Sequence, residues 1–166
     1  NNIQKRLMSF RGEKMDIKSK KLSLVQIVGF EASLPEEFIL EEMCAEVYTS
    51  CQEFIGDMLD VIYSDGPVYF KFYPLSSSKS DIEIFTTFGN AVKPIGKETQ
   101  LLFKESLLID SEDFAQISAE ELADYYTYLA SKYLEGEHEC LAVYHVLSLS
   151  SDDELMIDVY SDLEVG

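Results

Sequence analysis

The chain is poor in the residue types that mark several common classes of protein. Its 166 residues include no tryptophan, three cysteines, four prolines and two histidines. A small and odd number of cysteines does not build a disulfide framework, so we expect reduced thiols and a cytoplasmic protein. No apolar stretch approaches the roughly 18 residues that a membrane helix needs, and the first twenty residues are polar and basic rather than signal-like. These absences predict a protein that does not span a membrane.

Residues suited to metal binding or catalysis are equally scarce. His138, Glu139 and Cys140 are too few and too linear to supply the four converging ligands that zinc prefers. Cys44 and Cys51 would lie about 10.5 Å apart along a helix, beyond the reach of a disulfide, and are expected in the core. There is no glycine-rich phosphate loop, and neither histidine lies near a nucleophile signature. We therefore predict no metal, no cofactor and no catalytic residue.

Charge divides the chain into two unequal parts. Residues 1–21 carry seven basic and two acidic side chains, whereas residues 22–166 carry six basic and 29 acidic ones, and the formal net charge is −18. Such an acidic surface repels phosphate backbones and anionic lipids, so we predict neither nucleic acid nor membrane as a partner. The predicted partner is a small cationic or aromatic molecule, or a basic protein. Residues 1–21 are expected to be a basic arm, disordered or artificially added, before a single domain at residues 22–166.

The apolar pattern of residues 22–92 predicts a strand, a helix and two further strands. Residues 22–30 are rich in β-branched side chains, which is typical of a strand. Ser33 and Glu36 form a capping-box pattern that predicts a helix from this point; the open alternative at Phe38 and Ile39 is a longer strand with a later helix start. Apolar residues at helical spacing follow: Leu40, Cys44, Val47, Cys51, Phe54, Met58 and Ile62. Residues 64–67 are expected to end the helix, and residues 68–73 and 81–88 to form strands joined by a serine-rich hairpin.

The same order of elements recurs in residues 99–166, after an expected linker at residues 89–97. Extended stretches around residues 101–103 and 114–117 precede a second capping-box pattern at Ser118 and Glu121. The helical stripe is Leu122, Tyr125, Tyr126, Leu129 and Tyr133, and Gly136 is expected to end it. Residues 140–147 and 155–160 predict two closing strands, and shifts of 74 and 75 residues superimpose the two halves. We therefore predict an α+β fold, in which duplicated strand-helix-strand-strand units form an antiparallel sheet with both helices on one face.

An acid and an aromatic ring recur on the last strand of each half. Glu83 and Phe85 correspond to Asp158 and Tyr160, and both pairs alternate with β-branched residues. Because successive side chains of a strand face opposite ways, the acids and rings are expected on the sheet face away from the helices, where they would attract organic cations. The candidate ligand-binding residues are Glu83, Asp158, Tyr69, Tyr73, Phe85, His145 and Tyr160. The open alternatives are solvated acids, rings that pack within the core and a buried structural histidine.

Two motifs resemble a known superfamily. Gly66 and Pro67, which open an aromatic strand, and residues 154–160 at the end of the chain are similar to GyrI-like (gyrase-inhibitor-like) effector-binding domains, over residues 22–166. Residues 143–148 together with 66–69 resemble more closely an uncharacterised Gram-positive family encoded near secreted polymorphic toxins. The resemblance implies the duplicated fold and a cleft in which drug-binding members hold cationic aromatic ligands through an acid and several rings. It places that acid at Asp158, with Glu83 as its counterpart. Because some members of the superfamily are hydrolases, the resemblance leaves a hydrolase as the open alternative to a non-enzyme.

These observations lead to two expectations about function. The first is a non-catalytic module that holds a small cationic or aromatic ligand in a cleft between two pseudo-symmetric halves. The alternative is an acidic protein-interaction module, such as an immunity, adaptor or chaperone-like factor of a toxin secretion locus, with no small-molecule ligand. Binding to a basic protein should weaken steeply with salt because exposed charges are screened, whereas a ligand in a cleft should respond less.

Overall fold

The computed structural model describes residues 15–58, 62–64, 66–91 and 102–164. Four basic residues of the expected arm (Lys5, Arg6, Arg11 and Lys14), the linker from residue 92 onward and the expected boundaries of the halves at residues 92 and 99 lie outside these ranges. The strands are β1 (Lys18–Ser33), β2 (Ile62–Ser64), β3 (Val68–Phe72), β4 (Asp81–Ala91), β5 (Leu102–Ser118), β6 (Leu141–Leu149) and β7 (Leu155–Leu163). The helices are α1 (Leu40–Asp57), α2 (Leu122–Lys132) and α3 (Glu135–His138), and a 3₁₀ turn at Ala119–Glu121 precedes α2.

The strands form one antiparallel sheet that closes on itself. Its order is β1-β5-β7-β6-β3-β4, with the short β2 paired to the far end of β4, and β1 also pairs with β4. Six strands therefore form a barrel, and the predicted α+β fold is confirmed. The sequence predicted the strands and the antiparallel sheet but not the closure, because the pairing of β1 with β4 leaves no local pattern. Closure removes the two free edges that an open sheet would expose.

Corresponding strands of the two halves pair with each other. β3 pairs with β6, and β1 pairs with β5, both antiparallel. A shift of 74 positions takes Lys71 to position 145 and Tyr144 to position 70. The pair Lys71–Tyr144 then becomes the pair Phe70–His145, which is its neighbour in the observed register. Every antiparallel pairing keeps its register under such an exchange, whatever the shift, so the duplication of the two halves stays a prediction.

Both long helices pack on the outside of the barrel. The core beneath them combines buried residues of α1, of α2 and of the outward-facing strand positions: Met43, Cys44, Val47, Cys51, Leu122, Tyr125, Tyr126, Leu129, Phe70, Ile84, Val143, Ile157 and Val159. The strand residues in this core occupy alternate positions, so the residues between them face the barrel interior. The interior holds a second, separate cluster of buried apolar residues.

The first helix begins later than the capping-box pattern predicts, at the later start that the sequence left open. Ser33 is the last residue of β1, and its hydroxyl donates a hydrogen bond to Asp81 Oδ1 on β4 at 2.9 Å. The expected capping box at Ser33 and Glu36 is therefore wrong, because the hydroxyl is used between strands. α1 begins instead at Leu40, after Ile39, whose apolar side chain makes no capping hydrogen bond.

The second helix begins where the sequence predicts. The carboxylate of Glu121 accepts hydrogen bonds from the backbone N–H and the hydroxyl of Ser118, at 3.2 and 3.1 Å. This contact opens the 3₁₀ turn that leads into α2, which ends before Gly136. In the first half the helical stripe is shorter than expected, because Ile62 lies in β2. Within the described ranges, every helix is too short or too polar to cross a membrane.

The first strand changes its facing pattern at Gln26. β1 begins at Lys18, earlier than the expected start at Leu22. Leu24 and Ile27 both belong to the interior cluster, although they are three residues apart. Gln26 has a φ of 55°, in the left-handed region, and this local twist reverses the side on which the following residues lie. One continuous strand can therefore contribute to the interior from both of its segments.

Candidate functional site

The barrel interior presents two adjacent rows of side chains, and these include most of the residues that the sequence singled out. The first, which we call the Asp158 row, consists of Phe85, Tyr69, Val146, Asp158 and Gln116 on β4, β3, β6, β7 and β5. The second, the Glu83 row, consists of Glu31, Glu83, Lys71, Tyr144 and Tyr160 on β1, β4, β3, β6 and β7. Neighbouring strands are about 4.8 Å apart, so adjacent side chains within a row contact each other.

The aromatic rings of these rows are almost completely covered. Tyr69 and Phe85 stack with their centroids 5.3 Å apart and their planes 6° apart, and Tyr160 packs against Phe114 at 4.8 Å. Tyr69, Phe85, Tyr144 and Tyr160 are each 5% exposed or less. Sequence reasoning placed three of these four rings on this surface and missed Tyr144 and Phe114. The alternation of Tyr144 with the outward-facing Val143 and His145 was the signal that could have identified it.

Asp158 is a half-buried carboxylate surrounded by these rings. Burial raises the pKa of Asp158 above its ordinary range, although a hydrogen bond from Gln116 and the charge of Lys20 oppose this rise. Burial, and then the charge of Asp158, raise the pKa of Tyr160, which lies two residues further along the same face of β7. Among the described residues, no basic side chain forms an ion pair with Asp158. Within the described part of the chain, the charge of Lys20 therefore acts on this carboxylate without a direct ion pair.

Glu83 faces the same interior space from another wall. Its neighbours in the row are Glu31 on β1 and Lys71 on β3, and Lys104 Nζ lies 3.9 Å from Glu83 Oε2. Three strand spacings separate it from Asp158, or about 14 Å along the wall. Glu83 and Asp158 therefore share the interior surface, as the sequence predicted, on strands that lie opposite each other in the barrel.

Lys71 is a basic group inside the barrel that sequence reasoning missed. Its Nζ lies 2.6 Å from Glu164 Oε1, and the hydroxyl of Tyr73 donates to both oxygens of the same carboxylate at 3.0 and 2.9 Å. Burial by itself would lower the pKa of Lys71, but the hydrogen bonds with Glu164 and Tyr73 outweigh it and the pKa lies above its ordinary range. Tyr73, a predicted ligand contact, is thus bonded to the chain's own ion pair. The only local signal was a lysine within an otherwise apolar strand.

The structure separates His145 from the other candidate residues. His145 faces the helices, where it is fully buried, stacks on Phe70 at 4.0 Å and lies 2.6 Å from the hydroxyl of Tyr126 through Nε2. Burial lowers its pKa to about 3, so the ring is neutral near pH 7. Because Nδ1 lies 3.2 Å from the carbonyl oxygen of Phe70, which only accepts, Nδ1 carries the proton and Nε2 accepts from Tyr126. His145, a predicted ligand contact, therefore lies on the helix side of the sheet and apart from the two interior rows.

A second buried carboxylate, Asp113, joins β5 to α2 and β7. Its Oδ1 accepts from Tyr128 at 2.9 Å and Lys132 at 2.6 Å, and its Oδ2 accepts from Tyr133 at 2.6 Å and Ser161 at 2.7 Å. Burial would raise the pKa of Asp113, but these four donors outweigh it and hold the pKa below its ordinary range. Sequence reasoning missed this cluster because its members are up to 48 residues apart. Asp113 has no exposed surface and acts as a structural joint.

Glu139, next to His138, binds the loop between β3 and β4. The carboxylate of Glu139 accepts hydrogen bonds from the hydroxyls of Ser76, Ser77 and Ser78, at 2.5–2.8 Å, and from the backbone N–H of Ser77 at 2.9 Å. These bonds lower the pKa of Glu139 to about 2. In the part of the chain that is described, no group of three or more histidine, cysteine, aspartate or glutamate residues is arranged to hold a metal ion.

Comparison with known proteins identifies the fold and no closer relationship. No protein-family model matches the chain, and no curated protein matches it. A chain of EcmrR, from the EcmrR–DNA complex in EcmrR-RPo, is similar with a TM-score of 0.61 and 14% identity, over 98% of this chain and 62% of that one. The chain described here therefore spans less than two thirds of that EcmrR chain.

Two further solved structures are more distant. SAV2435 bound to tetraphenylphosphonium has a TM-score of 0.46 and 8% identity, over 90% of this chain and 94% of that one. A proposed bacterial transcription regulation protein from Staphylococcus aureus MU50 has a TM-score of 0.48 and 11% identity, over 91% and 99% of the two chains. The likeness to EcmrR shows a shared fold, which agrees with the α+β barrel.

Proposed function

We propose that the protein is a non-catalytic binding module that holds one small organic cation with aromatic substituents at Asp158, inside the barrel. The observation that carries the proposal is the environment of Asp158, a half-buried carboxylate with no ion-pair partner among the described residues. A carboxylate in such surroundings gains from a ligand that brings its own positive charge.

The aromatic neighbours favour a cation of organic type. Tyr160 and Tyr69 share the interior surface with Asp158, and ring faces attract diffuse cations such as quaternary ammonium or phosphonium groups. A hydrated metal ion would instead need several oxygen ligands converging on one point. Glu83 adds negative potential from another wall, which assists the entry of a cation rather than contacting it directly.

The test is calorimetric titration of tetraphenylphosphonium into the wild-type protein and into Asp158→Asn. Tetraphenylborate, which has nearly the same shape and the opposite charge, serves as the second probe. We expect the phosphonium to bind more tightly than the borate, and Asp158→Asn to weaken phosphonium binding by about tenfold or more. Asp152→Asn is the matched control, because it removes the same charge from a residue that is exposed in the β6–β7 turn.

Two outcomes would contradict this function. Equal affinity for the phosphonium and the borate would show that charge does not select the ligand. Equal weakening by Asp158→Asn and Asp152→Asn would show that only the net charge of the protein matters and that Asp158 is not the site.

A second candidate function is recognition of a basic protein through the acidic face of α1. Glu42, Glu46, Glu53 and Asp57 are exposed on this helix, and the chain as a whole carries a net charge of −18. If this is the function, a basic partner isolated from the same cells binds with an affinity that falls steeply between low and physiological salt. Replacing Glu42 and Glu46 by glutamine would then weaken binding, whereas Asp158→Asn would not.

A further inference from the structure

The Lys71 ammonium group occupies a cage inside the barrel that is built like a binding site. Its Nζ lies 2.6 Å from Glu164 Oε1, 5.1 Å from the ring centroid of Tyr73 and 5.8 Å from that of Tyr144. Asp162 lies close to this cage. Burial is the main cause that raises the pKa of Asp162; the charge of Glu164 raises it further, and the charge of Lys71 lowers it. A carboxylate and two ring faces around one ammonium are the elements of an aromatic cation site.

The cage is held in place by contacts that do not involve Lys71. The hydroxyl of Tyr73 donates to both oxygens of Glu164, and the backbone N–H of Glu164 donates to the carbonyl oxygen of Cys140 at 2.9 Å. Tyr144 lies on β6 next to Lys71 in the sheet register and is buried on the interior surface. The acceptor and the rings are therefore positioned by the barrel itself, and Lys71 reaches them from a neighbouring strand.

We propose that Glu164, Tyr73 and Tyr144 form a second cation-binding site, specific for a primary alkylammonium group, which the chain fills with its own Lys71. A primary ammonium fits this site because it has three donors for Glu164 and a compact charge that approaches both rings. The site is distinct from Asp158, which lies in the other row and two strands away from Lys71.

The occupied cage has a consequence for ligand selection, and this part rests on the proposed function. Lys71 places a fixed positive charge in the Glu83 row, whereas Asp158 has no ion-pair partner among the described residues. A ligand with one positive charge can place it at Asp158, but a second positive charge directed toward β3 meets Lys71. Lys71 is therefore a specificity-determining residue that selects monocations over dications.

The first experiment does not depend on the proposed function. Lys71→Ala removes the three carbons and the ammonium beyond Cβ, a fragment that n-propylammonium replaces in shape and charge. At an ionic strength held constant with sodium chloride, we expect the thermal midpoint of Lys71→Ala to rise by about 3 °C or more over an n-propylammonium series, with saturation, while an n-propanol series does not reproduce this. Lys79→Ala is the matched control, because Lys79 is exposed and lies over the outer side of the same Tyr73 ring at 4.3 Å.

Further variants keep the inference testable if Lys71→Ala folds poorly. In that case n-propylammonium in the refolding buffer should restore the folded protein, as measured by near-ultraviolet circular dichroism. The double variant Lys71→Ala, Glu164→Gln keeps the shape of the cage without its charge and should lose the rescue. The site does not exist if n-propylammonium and n-propanol act alike on Lys71→Ala, or if rescue persists without the Glu164 charge.

The second experiment compares ligand selectivity. Lys71→Met keeps the length of the side chain and removes its charge, so it should improve binding of a bis-quaternary dication relative to tetraphenylphosphonium by about tenfold. If the wild-type protein binds neither cation but propylammonium rescue succeeds, the second site stands and the proposed function falls. If tetraphenylphosphonium binds at Asp158 but rescue fails and selectivity is unchanged in Lys71→Met, the second site falls alone.

Discussion

Asp113 is a carboxylate with no exposed surface, and it is stable there because four donors surround it. A buried charge without partners would cost several kcal/mol, so the protein depends on the whole set rather than on any one bond. Three of the donors come from the end of α2 and the residue after it, and the fourth is Ser161 on β7. The joint therefore ties the second helix to two strands of the barrel.

Replacing Asp113 by asparagine should destabilise the protein by about 3 kcal/mol, because the neutral amide gives Lys132 no counter-charge and its nitrogen cannot accept two of the four hydrogen bonds. The pKa of Asp113 is lower in the folded protein than the ordinary aspartate value of about 3.9. Its contribution is therefore complete above that value and is lost as the pH falls through the lower, folded pKa. Urea unfolding at several pH values checks this.

The matched control for this prediction is Asp110→Asn, an exposed aspartate on the same strand. The difference in stability between wild type and Asp113→Asn should be constant above about pH 5 and should shrink below about pH 3.9. A difference that does not change with pH would indicate that the carboxylate charge has no part in the joint.

Cation binding should report the ionisation of Asp158. Its pKa is raised above the ordinary value, so the carboxylate takes up a proton at a higher pH than an exposed aspartate does. The affinity for tetraphenylphosphonium should therefore be full above the raised pKa and fall as the pH is lowered through it. Calorimetric titration of wild type and Asp158→Asn across this range tests the point, since the variant should show no such fall.

At the scale of elements, the closest approach of two strands depends on a glycine. Gly29 on β1 pairs with Phe85 on β4, and a Cβ at Gly29 would overlap the carbonyl oxygen of Ile84 and backbone atoms of Phe85. Backbone atoms in a sheet cannot move away as a flexible side chain would. The absence of a side chain at Gly29 is therefore what allows β1 to close the barrel against β4.

Gly29→Ala should lower the free energy of unfolding by about 2 kcal/mol or more, because the strands must separate to accommodate the methyl group. Gly56→Ala is the natural comparison, since no atom lies within 4 Å of a Cβ at that exposed helical position. It should be neutral or stabilise by up to about 1 kcal/mol through helix propensity. Urea unfolding of the two variants would refute the closure argument if Gly29→Ala were as well tolerated as Gly56→Ala.

At the scale of the whole molecule, self-repulsion is the dominant electrostatic feature. Residues 22–166 carry 29 acidic and six basic side chains. Some of these few basic side chains already form ion pairs, such as Lys71 with Glu164 and Lys132 with Asp113. Exposed acids at helical spacing, such as Glu42 and Glu46 on α1, lie on the same face and repel each other.

Salt should therefore stabilise this protein. Raising sodium chloride from low to physiological concentration screens the exposed acids and should raise the thermal midpoint by a few degrees. Glu46→Gln should stabilise the low-salt protein by about 0.2–0.5 kcal/mol and reduce its response to salt. A thermal midpoint that is insensitive to salt in both proteins would show that the net charge has little influence on folding.

Local patterns determined much of the structure. Alternation predicted β3, β4, β6 and β7, three- and four-residue spacing predicted the buried faces of both long helices, and the contact between Ser118 and Glu121 marked the start of the second helix. The placement of Glu83, Phe85, Asp158 and Tyr160 on one side of the sheet followed from the same alternation. These features were readable because each depends on residues only a few positions apart.

What the sequence by itself determined is thus the identity of the elements and which side of each strand or helix is polar. The tertiary structure decided which elements meet: the closure of β1 on β4, the pairing of Lys71 with Glu164, the joint at Asp113 and the exclusion of His145 from the interior. These outcomes depend on contacts between residues up to 93 positions apart. No periodicity encodes such a contact, because its energy is gained only after the whole chain has brought the two partners together.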